Sequence, residues 1–436
     1  MKRFIPFFIS ILSFTFTLNA QTTSPELIGY WHNWNDPNAP SIPLNQIDSR
    51  YTLVDIAFAV PVVGTDFKMN FIPDQFSSAT FFSHVQVLQS QGKKVIISIG
   101  GAATYISLDN ISERDTFIAT MGNILTTYGF DGIDIDLEGS SVSVTGGTIA
   151  APIDAKIINL IEAIKQIMGN YYTANNKRLL LTIAPETAFV QGGMSAYGGI
   201  WGAYLPIIHA LRDSIEILHV QLYNSGSMYG IDGNIYTQGS SDFIVAMTEA
   251  VIQGFNTSGG MFAGIPENKV VIGLPACSSA AGGGFTDTTS VINAVNYLRG
   301  VGNIPGTYTL QQAGGYPSLR GMMTWSINWD AVSTCATTYE YANTFESIFS
   351  TTSSTLELNS AVSVAVFPNP ASEFLTIKTN TDQCTIKITN LLGEIIQDPI
   401  PFNHSITIPI NGWNSGMYFI TITNPRKTIV TKIMVN

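Results

Sequence analysis

The chain is poor in charge, cysteine and histidine. Only 12% of its 436 residues are charged, about half the usual share of roughly 25%. Twenty Lys and Arg stand against 31 Asp and Glu, a net charge of −11. No basic stripe or Lys/Arg cluster stands out, which argues against a nucleic-acid partner. Three cysteines, Cys277, Cys335 and Cys384, fit no zinc spacing. The five histidines form no paired spacing, so no metal and no cofactor are expected. No G-x-G-x-x-G follows the first strand-like run, which counts against a dinucleotide site. Long apolar runs are missing after the first twenty residues.

Those twenty residues, MKRFIPFFISILSFTFTLNA, carry Lys2 and Arg3, then an apolar stretch, then small residues up to Ala20. They read as a secretory signal peptide cleaved before Gln21, so a secreted protein, outside the cell or on its outer surface, is expected. Export would permit a Cys277–Cys335 disulfide, leaving Cys384 over in a separate domain.

Apolar strand-like runs recur over residues 26–31, 52–60, 93–101, 132–138, 178–186, 216–224, 268–276 and 319–329. Segments with helical spacing lie between most of them. Strands rich in Val, Ile and Leu that alternate with helices predict a parallel sheet. Eight units predict an α/β fold, a (β/α)8 TIM barrel over residues 21–349 with its site at the C-terminal strand ends. An open doubly wound sheet is the alternative. Residues 350–361 read as a polar linker. Residues 362–436 alternate with period two between turn residues and predict a small all-β sandwich.

The run FDGIDIDLEG (130–139) holds Asp131, Asp134, Asp136 and Glu138. Residues two apart in a strand share a face, so the last three acids point one way and Ile133, Ile135 and Leu137 the other. In a barrel strand the acids would point inward, with Glu138 at the reactive end. Stacked carboxylates raise one another's pKa, so the last can stay protonated near neutral pH as a general acid. A calcium loop fails, because its twelfth position would be Thr145 and its spacers are apolar. A structural acid network is the bland reading, and it fits Asp131 and Asp134 better than Glu138.

The same run resembles the D-x-x-D-x-D-x-E signature of glycoside hydrolase family 18, the chitinase family. A second motif of that family, S-x-G-G, stands one unit earlier as Ser98, Ile99, Gly100 and Gly101. Gln221, Tyr223 and Asn224 fall at the sixth strand and Trp325 at the eighth, as in the family. The resemblance covers residues 26–349. It implies retaining hydrolysis in which the substrate's own acetamido oxygen is the nucleophile. Glu138 would then protonate the leaving oxygen and later activate water. Asp136 would orient the acetamido group, with Asp134 tuning it and Tyr223 donating to the acetamido oxygen. Trp325 would floor the reacting sugar. Tyr30, Trp31 and Trp34 are weaker candidates for neighbouring subsites, and Glu186 for a substrate hydroxyl.

The resemblance implies chitin or another N-acetylglucosamine-containing oligosaccharide as substrate, cut by a monomer. An endo-β-N-acetylglucosaminidase acting on the chitobiose core of N-glycans would use the same acids. A non-catalytic lectin of the family is the third reading, and the presence of Glu138 argues against it. Between the seventh and eighth strands one helix and loops leave little room for the extra domain that deep-cleft members of the family carry, so the resemblance implies an open groove and endo-type cutting. The final segment, opening on VFPNPASEFLTIK (366–378), resembles the C-terminal sorting domain of the type IX secretion system, whose machinery would be its partner. A carbohydrate-binding module is the alternative there, and Trp413, its single Trp, is thin support for it.

Overall fold

The computed structural model describes residues 24–333, 337–349, 364–379, 382–423 and 428–435. The expected signal peptide, the expected linker and Cys335 lie outside the described residues. The chain divides into two compact units after Ser350.

The first unit is built on eight parallel strands: β1 (Glu26–His32), β2 (Leu53–Pro61), β3 (Lys94–Gly100), β4 (Gly132–Asp136), β5 (Leu180–Ile183), β6 (Ile217–Leu218), β7 (Val271–Pro275) and β8 (Gly321–Trp325). Each pairs with the next from β1 to β6, β7 pairs with β8, and β8 returns to β1. The seam between β6 and β7 is the loosest. It holds through bridges at Leu218 with Val270 and Gln221 with Gly273. The sequence-predicted sixth and eighth strands run longer than these. The chain turns into a short helix, Ile327–Asp330, straight after Ser326.

Helices α1 (Ser78–Ser90), α2 (Ile111–Tyr128) and α3 (Ala155–Asn175) follow β2, β3 and β4. Local sequence sets their ends. Asn110 accepts from Glu113 N at the start of α2, and Gly129 takes a left-handed φ of 66° to stop it. That stop aims the chain into β4. The outward strand residues Ile133, Ile135 and Leu137 pack into the large apolar core under the helices.

Inside the barrel the strands alternate in the other phase. A lower plug is apolar: Ile28, Leu53, Ile96, Ile217, Val271 and Met323. Above it lies a fully buried polar layer: Tyr30, Asp55, Ser98, Asp134, Thr182 and His219. The layer nearest solvent holds Gly100, Asp136, Gln221 and Trp325. The S-x-G-G turn has a steric cause. A Cβ on Gly100 would stand 2.2 Å from the Asp136 carbonyl oxygen, and one on Gly101 2.6 Å from the Phe58 ring.

Among the described residues the second unit has seven strands in two antiparallel sheets. One sheet runs β9 (Val364–Phe367), β10 (Phe374–Thr379), β13 (Ser405–Pro409); the other runs β12 (Ile395–Phe402), β11 (Cys384–Asn390), β14 (Gly416–Thr423), β15 (Thr428–Val435). Period-two patterning found six of these; β9 hides in the proline-rich opening. Trp413 packs on Tyr418 with ring centroids 5.0 Å apart. Cys277 of the first unit is disulfide-bonded, and Cys384 is buried in the second. Among the described residues no helix is long and apolar enough to cross a membrane.

Candidate active site

The acids of β4 differ in surroundings along the strand. Asp131 sits at its foot, bonded by Lys177 Nζ at 2.7 Å, Gln89 Nε2 at 3.0 Å and Val95 N at 3.1 Å. It ties helix and strand ends together, far from the cleft.

Asp134 is wholly buried and accepts four hydrogen bonds. Tyr30 and Ser98 hydroxyls each donate to Oδ2 at 2.7 Å; Thr182 Oγ1 and His219 Nε2 reach Oδ1 at 2.6 and 3.0 Å. Burial opposes its ionisation, but His219 and these bonds outweigh burial and hold it below the usual carboxylate range.

Asp136 goes the other way. Burial, then the charges of Glu138, Asp134, Glu186 and Asp55, push it well above the usual range. Gln221 Nε2 donates to its Oδ1 at 2.7 Å and to the Ala184 carbonyl at 2.9 Å, which pins the amide between β4 and β5. Glu138 is raised to about 7, first by burial and then by the charge of Glu186, with a Gln221 bond pulling the other way. Its backbone is set by Tyr204, whose hydroxyl accepts from Leu137 N at 2.7 Å and donates to Leu137 O at 2.9 Å.

Asp136 and Glu138 open into a cleft of about 520 Å³. Gly100, Gly101, Gln221, Tyr223, Asn224 and Trp325 line it, as do Asn33, Trp34, Phe58 and Asp74. Trp325 lies face to face with Phe58 at 5.8 Å and an interplanar angle of 12°. Among the described residues no Lys, Arg or His lines this cleft.

Four sequence-predicted residues are placed differently. Trp31 faces outward: it is buried on Phe81, and its Nε1 donates to the Ile42 carbonyl at 2.8 Å. Adjacent strand residues point to opposite faces, so Tyr30 and Trp31 cannot both reach the interior. Tyr30 and Ser98 do point inward, but at Asp134 beneath the cleft. Glu186 accepts from Ser225 Oγ at 3.1 Å and faces Glu138 electrostatically without lining the cleft.

Phe58, Tyr204, Thr182, His219 and Asp55 were missed. The signal for two of them was present: Asp55 and His219 are polar residues inside apolar runs, where burial is costly without a partner.

Asp55, Asp134 and His219 place one ligand atom each within 4.8 Å of one another. The donor set does not suit a metal, because Asp134 already spends its four acceptor positions on hydrogen bonds.

The sequence compares closely with known proteins. Residues 26–357 match the family Glycosyl hydrolases family 18, and residues 365–436 match the Secretion system C-terminal sorting domain. That second match makes the chain one exported to the cell surface or beyond. Chitinase D of Niallia circulans is 46% identical over 312 residues, 70% of this chain and 58% of that protein. Chitinase ChiA of Flavobacterium johnsoniae is 34% identical over 428 residues, 92% of this chain but 27% of its own length. The chain thus spans less than two thirds of these relatives. A crystal structure of a family 18 chitinase from Chromobacterium violaceum superposes with a TM-score of 0.67 at 35% identity, covering 74% of this chain and 83% of that one. The first match takes in every strand of the barrel and the whole acid strand, and the chain belongs to glycosyl hydrolase family 18.

Proposed function

We propose that the chain is a secreted chitinase, hydrolysing β-1,4-N-acetylglucosaminide bonds with retention of configuration. One observation carries the reading. Glu138 meets the cleft with its carboxyl raised to about 7, beside an Asp136 that burial and neighbouring charges push well above the usual range. A carboxylic acid poised near neutral pH is what protonating a glycosidic oxygen requires. The relatives' names point to chitin as the substrate.

The residues divide the work as follows. Glu138 gives its proton to the leaving oxygen, then takes one from water as the intermediate opens. Asp136 faces the acetamido N–H and aligns the acetamido oxygen for attack on the anomeric carbon. Its hydrogen bond from the acetamido N–H strengthens as positive charge develops and stabilises the oxazolinium-like intermediate. Asp134, held ionised by four donors, supplies the negative field below. Tyr223 is buried, and burial keeps its hydroxyl protonated as a donor toward the acetamido oxygen. Trp325 offers the apolar floor on which a sugar ring stacks.

The described residues between β7 and β8 form one helix, Thr288–Leu298, and loops. That supports an open groove and cutting within chains.

The test is side-by-side digestion of colloidal chitin and a high-mannose glycoprotein by wild type and Glu138→Gln. Chitin oligomers are expected from wild type, with turnover down about 10²- to 10⁴-fold in the variant. Release of N-glycans without chitin cleavage would give the alternative substrate. Near-normal turnover by Glu138→Gln would refute the assignment of the acid.

A further inference from the structure

Tyr223 and Asn224 reach the cleft on an arm, residues 223–226, that continues from β6. Among the described residues nothing bonds the Tyr223 hydroxyl, so packing and the arm's backbone set its aim. That backbone is unusual. Asn224 takes a left-handed φ of 62°. A residue with a side chain keeps this conformation only where its surroundings enforce it, and Asn tolerates it better than most.

The surroundings enforce it from two sides. One is Gln238, half-buried on the way from β6 to the helix Ser241–Gln253. Its Oε1 accepts from Ser225 N at 2.8 Å and from Gly226 N at 2.7 Å. One side-chain carbonyl thus grips two successive backbone donors just past Asn224. Ser225 Oγ in turn donates to Glu186 Oε2 at 3.1 Å and accepts from Ala188 N at 3.3 Å. The other side is the loop after β7, where the Gly283 carbonyl accepts from Asn224 N at 3.2 Å. This loop carries three successive glycines, 282–284, and each meets the arm or its grip. A Cβ would stand 3.4 Å from Asn224 Oδ1 at Gly282, 3.1 Å from Gln238 Nε2 at Gly283 and 2.6 Å from Tyr223 Cα at Gly284. The run lacks side chains where the arm passes against it.

We propose that Gln238 is a positioning residue, clamping residues 223–226 against the glycine loop so that Tyr223 and Asn224 stay aimed at the reacting sugar. Gln238 itself does not line the cleft. The inference rests on the reading of Tyr223 as the donor to the acetamido oxygen. Loss of the clamp frees the arm without removing any group from the site. A shift of about 1 Å at a catalytic group can cost on the order of 100-fold in rate. Stability should suffer little, because Ser225 is half-buried and Gly226 exposed, and water can take up their N–H groups.

Two measurements on the full chain test this. Gln238→Met keeps the length of the side chain and removes the acceptor, whereas Gln238→Glu keeps an acceptor oxygen. The first measurement needs no substrate. Hydrogen–deuterium exchange at Ser225 and Gly226 should run about tenfold faster in Gln238→Met and near the wild-type rate in Gln238→Glu. Unchanged exchange in Gln238→Met would overturn the proposal.

The second is kinetics on a soluble N-acetylglucosamine oligosaccharide. In Gln238→Met kcat should fall about 10- to 100-fold with KM little changed, because the arm acts on the acetamido oxygen as it attacks. Gln238→Glu should recover most of the loss. On a Tyr223→Phe background, Gln238→Met should cost far less than it does alone, since the hydroxyl it aims is gone. The same fold-loss on both backgrounds, or a lower melting temperature with wild-type kcat, would overturn the proposal. Wild type inactive on every N-acetylglucosaminide would count against the proposed function alone, and the exchange rates would still decide the clamp.

Discussion

In the C-terminal unit the inward strand positions are Leu375, Ile377, Ile386, Ile388, Ile420, Ile422 and Ile433, all buried. In the barrel, positions of the same period and depth are Tyr30, Asp55, Ser98, Asp134, Thr182 and His219. Both units follow the rule that alternate residues face inward. The sandwich has one core and fills it with hydrocarbon, which stabilises by about 0.8 kcal/mol per buried methylene. The barrel has two interiors. Its shell between strands and helices carries the apolar burial, and this frees the inside of the barrel for groups that cost stability but handle protons. A strand interior that is polar, wholly buried and hydrogen-bonded thus marks where chemistry sits.

The largest stability effect should come from the apolar interior. Ile420→Ala should cost about 2–5 kcal/mol, lowering the melting of the C-terminal unit in calorimetry while chitin hydrolysis by the same protein is unchanged. An equal loss of hydrolysis would mean that the two interiors are not independent.

A smaller effect of opposite sign belongs to the polar interior. The folded pKa of Glu138 is raised from 4.5 to about 7, so the folded state binds this proton more tightly than the unfolded one. Its ionisation therefore costs nothing below about pH 4, and the cost grows above that pH and is complete above pH 7. Glu138→Gln should then stabilise the barrel by about 3 kcal/mol at pH 8 and by almost nothing at pH 4. Denaturant unfolding at the two pH values measures it. Equal stability of the two proteins at pH 8 would mean that Glu138 ionises freely in the folded state.

What the sequence revealed follows from period and motif. The eight strand-like runs lie over the eight barrel strands, and D-x-x-D-x-D-x-E gave the inward face of β4 at once. S-x-G-G was recognisable, though its cause was not: the reason Gly100 has no side chain is a carbonyl on the neighbouring strand. Trp31 was misplaced because an aromatic at a strand end looks like a sugar platform until its parity is set against Tyr30. Asp55 and His219 were single polar letters in VDIAF and LHVQL. Nothing local says that they meet Asp134, since that contact exists only once β2, β4 and β6 close around one axis. Phe58 was hidden for the same reason, its partner Trp325 lying on the last strand of the barrel.

The central claim is that burial and the charge of Glu186 hold Glu138 protonated near neutral pH. The alkaline limb of kcat/KM on a soluble N-acetylglucosamine oligosaccharide reads that proton directly, because it reports the acid in the free enzyme. The limb should fall with an apparent pKa near the value of about 7 carried by Glu138. A limb near 4.5, the ordinary glutamate value, would contradict the account.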